Sequence, residues 1–100
     1  MIERITKNEE RLDTIISAVR DLDKSLEEFQ KIQKDLSLLN RYYGSKNWFS
    51  DKEKLENGSI SNIKAGVLSE DSVWNINEEI KELMAEMSIV INHYEHSNRG

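Results

Sequence analysis

The chain contains no cysteine and no proline, and among its 100 residues only four glycines, Gly44, Gly58, Gly66 and Gly100. Without cysteine there is no disulfide, no thiolate nucleophile and no zinc–thiolate site, a usage that fits a reducing cytoplasm. With no proline and so few glycines, residues 1–43 and 67–99 hold no strong helix breaker. No purely apolar run exceeds three residues, as in Ile89-Val90-Ile91, so no segment is expected to span a bilayer. The opening Met-Ile-Glu-Arg lacks the basic stretch and apolar run of a secretory leader. Catalytic signatures are also missing: there is no glycine-rich phosphate loop and no serine in a nucleophile elbow. The expectation is a cytoplasmic protein that is not an enzyme, needs no cofactor and stays off membranes.

Both breaker-free stretches carry apolar residues at alternating three- and four-residue steps. The first ladder is Ile5, Leu12, Ile15, Val19, Leu22, Leu26, Phe29, Ile32, Leu36, Leu39, Tyr43. Its two consecutive three-residue steps, Leu26 to Phe29 to Ile32, break the heptad phase, which a local twist or kink, or a wider apolar stripe, would accommodate. The second ladder, Val73, Ile76, Ile80, Leu83, Met87, Val90, Tyr94, alternates without a fault. Pairs such as Glu3–Lys7 and Glu27–Lys31 sit at the favourable i, i+4 spacing and read as a solvated face, each contributing about 0.3 kcal/mol. The expected fold is all-α: a long antiparallel helical hairpin, coiled-coil-like, with a short helical connector. It is read as one domain, with a long helix over 1–43, a connector over 44–68 and a long helix over 69–97.

Local signals place the element ends. Gly44 follows the first helix as a left-handed cap would. Asn47 is placed to cap a short helix through Leu55, Asn57-Gly58-Ser59 reads as a turn, and Ile60 and Ile63 suggest one more helical turn before Gly66. Ser69 can cap the last helix, with Glu70 and Asp71 in its positive first turn and Leu68 stapled onto Val73. At 1.5 Å per residue the first helix would run about 60 Å and the last about 40 Å. In a hairpin that mismatch leaves the first dozen or so residues, including Ile2, Ile5 and Leu12, without cover from the same chain. Either the helix breaks or that end packs on another molecule, as in a homodimer through the N-terminal helix.

The net charge of −5 is unevenly spread: −1 over residues 1–43, +1 over 44–69, and −5 over 70–100, where seven acids face only Lys81 and Arg99. No basic stripe is present to grip a phosphate backbone, so direct nucleic-acid binding is not expected. A protein partner with a basic surface is the better match. Glu78, Glu82 and Glu86 recur every four residues on one face of the last helix, and Glu79 borders it. Like charges at that spacing repel by a few tenths of a kcal/mol. Two readings stay open: a solvated face relieved by basic residues of the first helix, or an acidic stripe that docks into a basic groove.

Around the connector stand the most distinctive residues: Tyr42-Tyr43-Gly44-Ser45, then Trp48, Asp51 and Glu53, and later Gly66-Val67-Leu68-Ser69-Glu70-Asp71 leading to Val73-Trp74. In the order and separation of these two blocks the chain resembles a small bacterial family known as domain of unknown function 4298. Trp74 stands where that pattern has a smaller aromatic, and Phe49 where a charged residue is commoner. The resemblance implies a helical fold over essentially the whole chain and brings no activity, cofactor or catalytic residue with it. Physically, Tyr42, Tyr43, Trp48 and Trp74 read either as large side chains sealing the closed end of the hairpin or, flanked by Asp51, as anchors for a partner.

His93 and His96, three apart, lack an evident third metal ligand. Carboxylate pairs such as Asp51 and Glu53 arise readily by chance among 19 acids. The resulting expectation is a small acidic helical protein that works by protein–protein interaction. The alternative is a phage- or mobile-element-type inhibitor whose acidic helix face blocks a nucleic-acid-binding enzyme.

Overall fold

The computed structural model describes residues 1–98. Among them there is no strand. The order is α1 (Ile2–Lys31), α2 (Gln33–Tyr42), α3 (Lys46–Glu56), a 3₁₀ turn (Gly66–Leu68) and α4 (Ser72–Ser97). The chain is all-α; a simple two-helix antiparallel hairpin is not established. It divides into two compact units, Met1–Leu38 and Leu39–Gly100.

In the first unit, α1 runs 30 residues without interruption. Its polar mid-helix residues turn back onto the helix instead of breaking it: Asn8 Nδ2 donates to the Arg4 carbonyl at 2.9 Å and Thr14 Oγ1 to that of Glu10 at 3.0 Å. Lys31 pairs with Glu27 at 3.4 Å, as the spacing predicts, whereas Lys7 reaches Glu10 at 3.8 Å and not Glu3. Both pairs are solvent-exposed and contribute at most a few tenths of a kcal/mol each.

The helix expected over 1–43 is in fact two helices. Ile32, at φ −89° and ψ 0°, leaves the helical region and turns its N–H to the Gln30 carbonyl. The Phe29 carbonyl, which the Gln33 N–H would bond in an unbroken helix, is met by the Gln33 side-chain amide at 3.3 Å. The break falls at the phase fault in the apolar ladder. Of the two accommodations open from the sequence, the structure has a local break.

In the second unit, α2 ends at Tyr42 and Gly44 turns the chain at φ +76°, a left-handed conformation that suits glycine. Ser45 follows in extended geometry and its Oγ accepts the Trp48 N–H at 3.2 Å, capping α3. The cap is therefore Ser45 and not Asn47. Gly44 sets the new direction so early that Asn47 already lies inside the helix. The predicted turn is present: Gly58 is at φ +82° and Asn57 Oδ1 accepts the Ser59 N–H at 2.9 Å. The extra helical turn expected at Ile60 and Ile63 is absent, because Asn62 adopts φ +59° and interrupts any run there. The turn forms later, as the 3₁₀ segment Gly66–Leu68.

α4 begins at Ser72, two residues later than Glu70. The N-cap position is Asp71, whose side chain makes no cap bond; the expected cap, Ser69, lies two residues earlier, its Oγ accepting the Ser72 N–H at 3.2 Å and donating to the Gly66 carbonyl at 2.8 Å. Glu70 and Asp71 therefore precede α4 and do not stand in its first turn, which holds no acid. The buried residues of the unit are Trp48, Leu68 and Val73, at 5%, 6% and 3% exposure. Leu68 and Val73, the pair expected to staple, are both buried. From Lys81 onward every described residue of α4 is exposed.

Candidate functional site

The best-built region joins the two sequence blocks on either side of α3. Trp48 enters the core from the first turn of α3, and its Nε1 donates to the Val67 carbonyl at 2.9 Å in the 3₁₀ turn. Tyr43 packs edge-on to it, with ring centroids 5.2 Å apart and planes at 74°, and donates its OH to the Glu70 carbonyl at 2.9 Å. Phe49 also packs edge-on to Trp48, at 4.9 Å and 82°. Such edge-to-face pairs contribute about 0.5–1.5 kcal/mol beyond area burial. Lys52, one helical turn after Trp48, places its Nζ 5.2 Å from the Trp48 ring centroid and 3.1 Å from Glu70 Oε1. One ammonium thus combines a cation–π contact with an ion pair across the turn.

Beside this cluster Tyr42 donates its OH to Asp51 Oδ2 at 2.7 Å. That bond, then desolvation and the Asp51 charge, raises the Tyr42 phenol above its ordinary range. Asn40 and Asn77 join α2 to α4 by exchanging amide hydrogen bonds at 3.2 and 2.7 Å, and Asn77 Nδ2 also donates to the Val73 carbonyl at 2.9 Å. Among the described residues no buried side-chain nitrogen or oxygen lacks a partner. The Tyr42 and Tyr43 hydroxyls and the Trp48 indole N–H all bond within the chain.

Of the candidate residues, the structure brings Tyr42 to Asp51 and Tyr43 to Trp48. Trp74 stands apart: it is 56% exposed and does not seal the core. Val73 takes the inward position, and the next residue of a helix points about 100° away. Glu79, Glu82 and Glu86 are exposed, while Glu78 is half-buried and accepts from Lys81 at 3.2 Å. Relief of the acidic stripe thus comes from the same helix at Glu78. His93 and His96 bond to their own helix turn, through Ser97 Oγ at 3.5 Å and the Asn92 carbonyl at 2.8 Å. Among the described residues no group of three or more His, Cys, Asp or Glu is placed to hold a metal ion, and no helix is long and apolar enough to cross a membrane.

Sequence reasoning missed Lys52 and the Asn40–Asn77 pair. Lys52 had a signal, its i, i+4 spacing from Trp48. Asn77 had a weaker one, an amide inside an otherwise strong helix.

The other conspicuous feature is the apolar side of α1. No residue of α1 is buried. Ile5, Leu12, Ile15, Val19, Leu22 and Leu26 are exposed to between 46% and 58%. The hollow lined by Ile2, Glu3, Arg4, Thr6, Lys7 and Arg11 is open surface between side chains of that one helix.

An all-helical chain, with an aromatic core joining two turn segments and a long apolar helix face, is the class defined by these features. The protein belongs to the family described as Domain of unknown function (DUF4298), which matches residues 5–90. No curated protein and no solved structure matches it. The two blocks on which the resemblance rested dock on each other, through the Trp48–Val67 and Tyr43–Glu70 hydrogen bonds.

Proposed function

We propose that the protein acts by binding another protein through an apolar helix face, and not by catalysis. The observation that carries this reading is α1: 30 residues long, none buried, with large apolar side chains at heptad spacing left about half exposed. An unpartnered amphipathic helix of this kind is what helix-in-groove and coiled-coil partners recognise. Covering each half-exposed Ile or Leu gains about 1 kcal/mol, so the stripe offers several kcal/mol before the cost of association. Trp74 and Phe49 add a smaller exposed aromatic surface in the second unit. A reducing cytoplasm suits a chain without cysteine.

The test is affinity capture from a host lysate at low and high salt, comparing the natural chain with the Leu12→Asp/Val19→Asp double variant. A partner held at high salt and lost with the variant supports the apolar face. A partner bound equally by both proteins removes α1 from the reading.

A second reading has its own support, the exposed Glu79, Glu82 and Glu86 on a helix whose one lysine is Lys81. Such a stripe would let the protein occupy the basic channel of a nucleic-acid-binding enzyme, as an inhibitor of phage or mobile-element type. Replacing Glu78, Glu82 and Glu86 together by Gln should then abolish binding, and raised salt should weaken it steeply. Binding indifferent to both changes would end this alternative.

A further inference from the structure

We infer that the partner of α1 is a second copy of the chain, and that the two α1 helices pair in parallel and in register from Ile5 to Phe29. This rests on the reading of α1 as the interaction surface and names its occupant. The observations are the heptad phase, the flanking charges, one polar residue in the seam and the area available.

Taking Ile5 as the first seam position places Ile5, Leu12, Val19 and Leu26 in one row and Asn8, Ile15, Leu22 and Phe29 in the other. The seam spans about 36 Å and ends just before Ile32, where the backbone itself leaves the helix. Sequence phase and helix geometry stop together. The exposed parts of the seam side chains, with Ile2 and Ile16 flanking them, would cover on the order of 1,000 Å² over two chains, the threshold of a specific interface.

Orientation follows from charge and from Asn8. In a parallel pair the flank of one heptad meets the flank of the next, which sets Arg4 against Glu9 of the second copy, twice by symmetry. An antiparallel pair over the same seam sets Glu9 near Asp23 of the second copy, a like-charge contact, again twice. Asn8 decides in the same direction. In parallel register it faces Asn8 of the second copy and the two amides can bond each other, whereas the antiparallel seam puts it against Leu26. In the single chain the Asn8 amide bonds within its own helix, donating to the Arg4 carbonyl and accepting from Arg11 at 3.1 Å, bonds that pairing would exchange for the second copy's amide.

The chain's lack of cysteine makes the test direct. Light scattering and sedimentation equilibrium from about 1 to several hundred micromolar should give twice the chain mass at the upper end. A monomeric mass throughout overturns the proposal. In a glutathione redox buffer, Asn8→Cys and Leu26→Cys should each form a disulfide with their own kind, and a mixture of the two should give no crossed species. A predominantly crossed product means antiparallel pairing and overturns the register. Arg4→Glu and Glu9→Lys should each raise the dimer Kd about fivefold, and Arg4→Glu/Glu9→Lys together should restore it. Failure of the double variant to restore it also overturns the register. A chain that stays monomeric yet captures a lysate protein through Leu12 and Val19 sinks the second-copy proposal and leaves the interaction reading standing.

Discussion

The two units use their apolar residues in opposite ways. α1 carries the longer ladder and buries none of it, whereas the segment from Tyr42 to Val73 has few apolar residues in any regular order and holds the three that are buried among the described residues. The difference lies in what fixes each side chain. A ladder of Leu and Ile gains only from being covered and is indifferent to what covers it. Trp48, Tyr43 and Tyr42 each carry a polar handle that finds one partner inside the chain, the Val67 carbonyl, the Glu70 carbonyl and the Asp51 carboxylate. Periodicity makes a helix and a sticky face; aromatic residues with directional bonds make a specific core.

Substitutions can break this contrast or sharpen it. The largest effect is expected at Trp48. Trp48→Ala should cost about 3–5 kcal/mol and melt the second unit, read as loss of slowly exchanging amides in α3 and the start of α4. If those amides keep their protection, the core does not rest on this ring. Next is Tyr42→Phe, which removes a hydrogen bond to a carboxylate and should cost about 1–2 kcal/mol at neutral pH. Because folding raises the Tyr42 pKa, that stability is fully present below the unfolded tyrosine value, about 10, and is lost as pH rises through the folded value. Urea titrations at rising pH should therefore show the gap between natural chain and variant closing in alkali. A gap that stays constant would mean that the Tyr42–Asp51 bond does not form in solution.

Smaller effects separate cap from helix. Gly44→Ala should cost about 1 kcal/mol through its φ of +76° alone, since an added Cβ would meet no atom within 4 Å. Ser45→Ala should cost about 1 kcal/mol and Asn47→Ala only a few tenths, as thermal melts will show. Equal costs would return the cap to Asn47. The smallest effect is expected at Trp74, half out in solvent, where Trp74→Ala should change stability by no more than about 0.5 kcal/mol. A larger loss would place Trp74 in the core after all.

Much of the local architecture was legible. Gly44 announced the end of α2 and Asn57-Gly58 the end of α3, because each is a backbone requirement that a few neighbouring residues satisfy. The misplacements have the same local character. Asn47 and Ser45 are both good caps, and only the chain direction after Gly44 chooses between them. Ile60 and Ile63 have helical spacing, but the left-handed Asn62 between them prevents the turn. Trp74 looked like its aromatic neighbours until its position beside Val73 was followed round the helix.

By itself the sequence determined that this chain is helical, where α2 and α3 end, and that its family is DUF4298. Each of these depends on residues within a turn or two of one another, or on the order of two short blocks. Only the tertiary structure decided that those blocks lock together through Trp48 and Val67, that Lys52 bridges Trp48 and Glu70, and that Asn40 meets Asn77. Hydrogen bonds between groups 18 to 37 residues apart leave no periodic trace in a sequence, because their geometry exists only once the chain has folded.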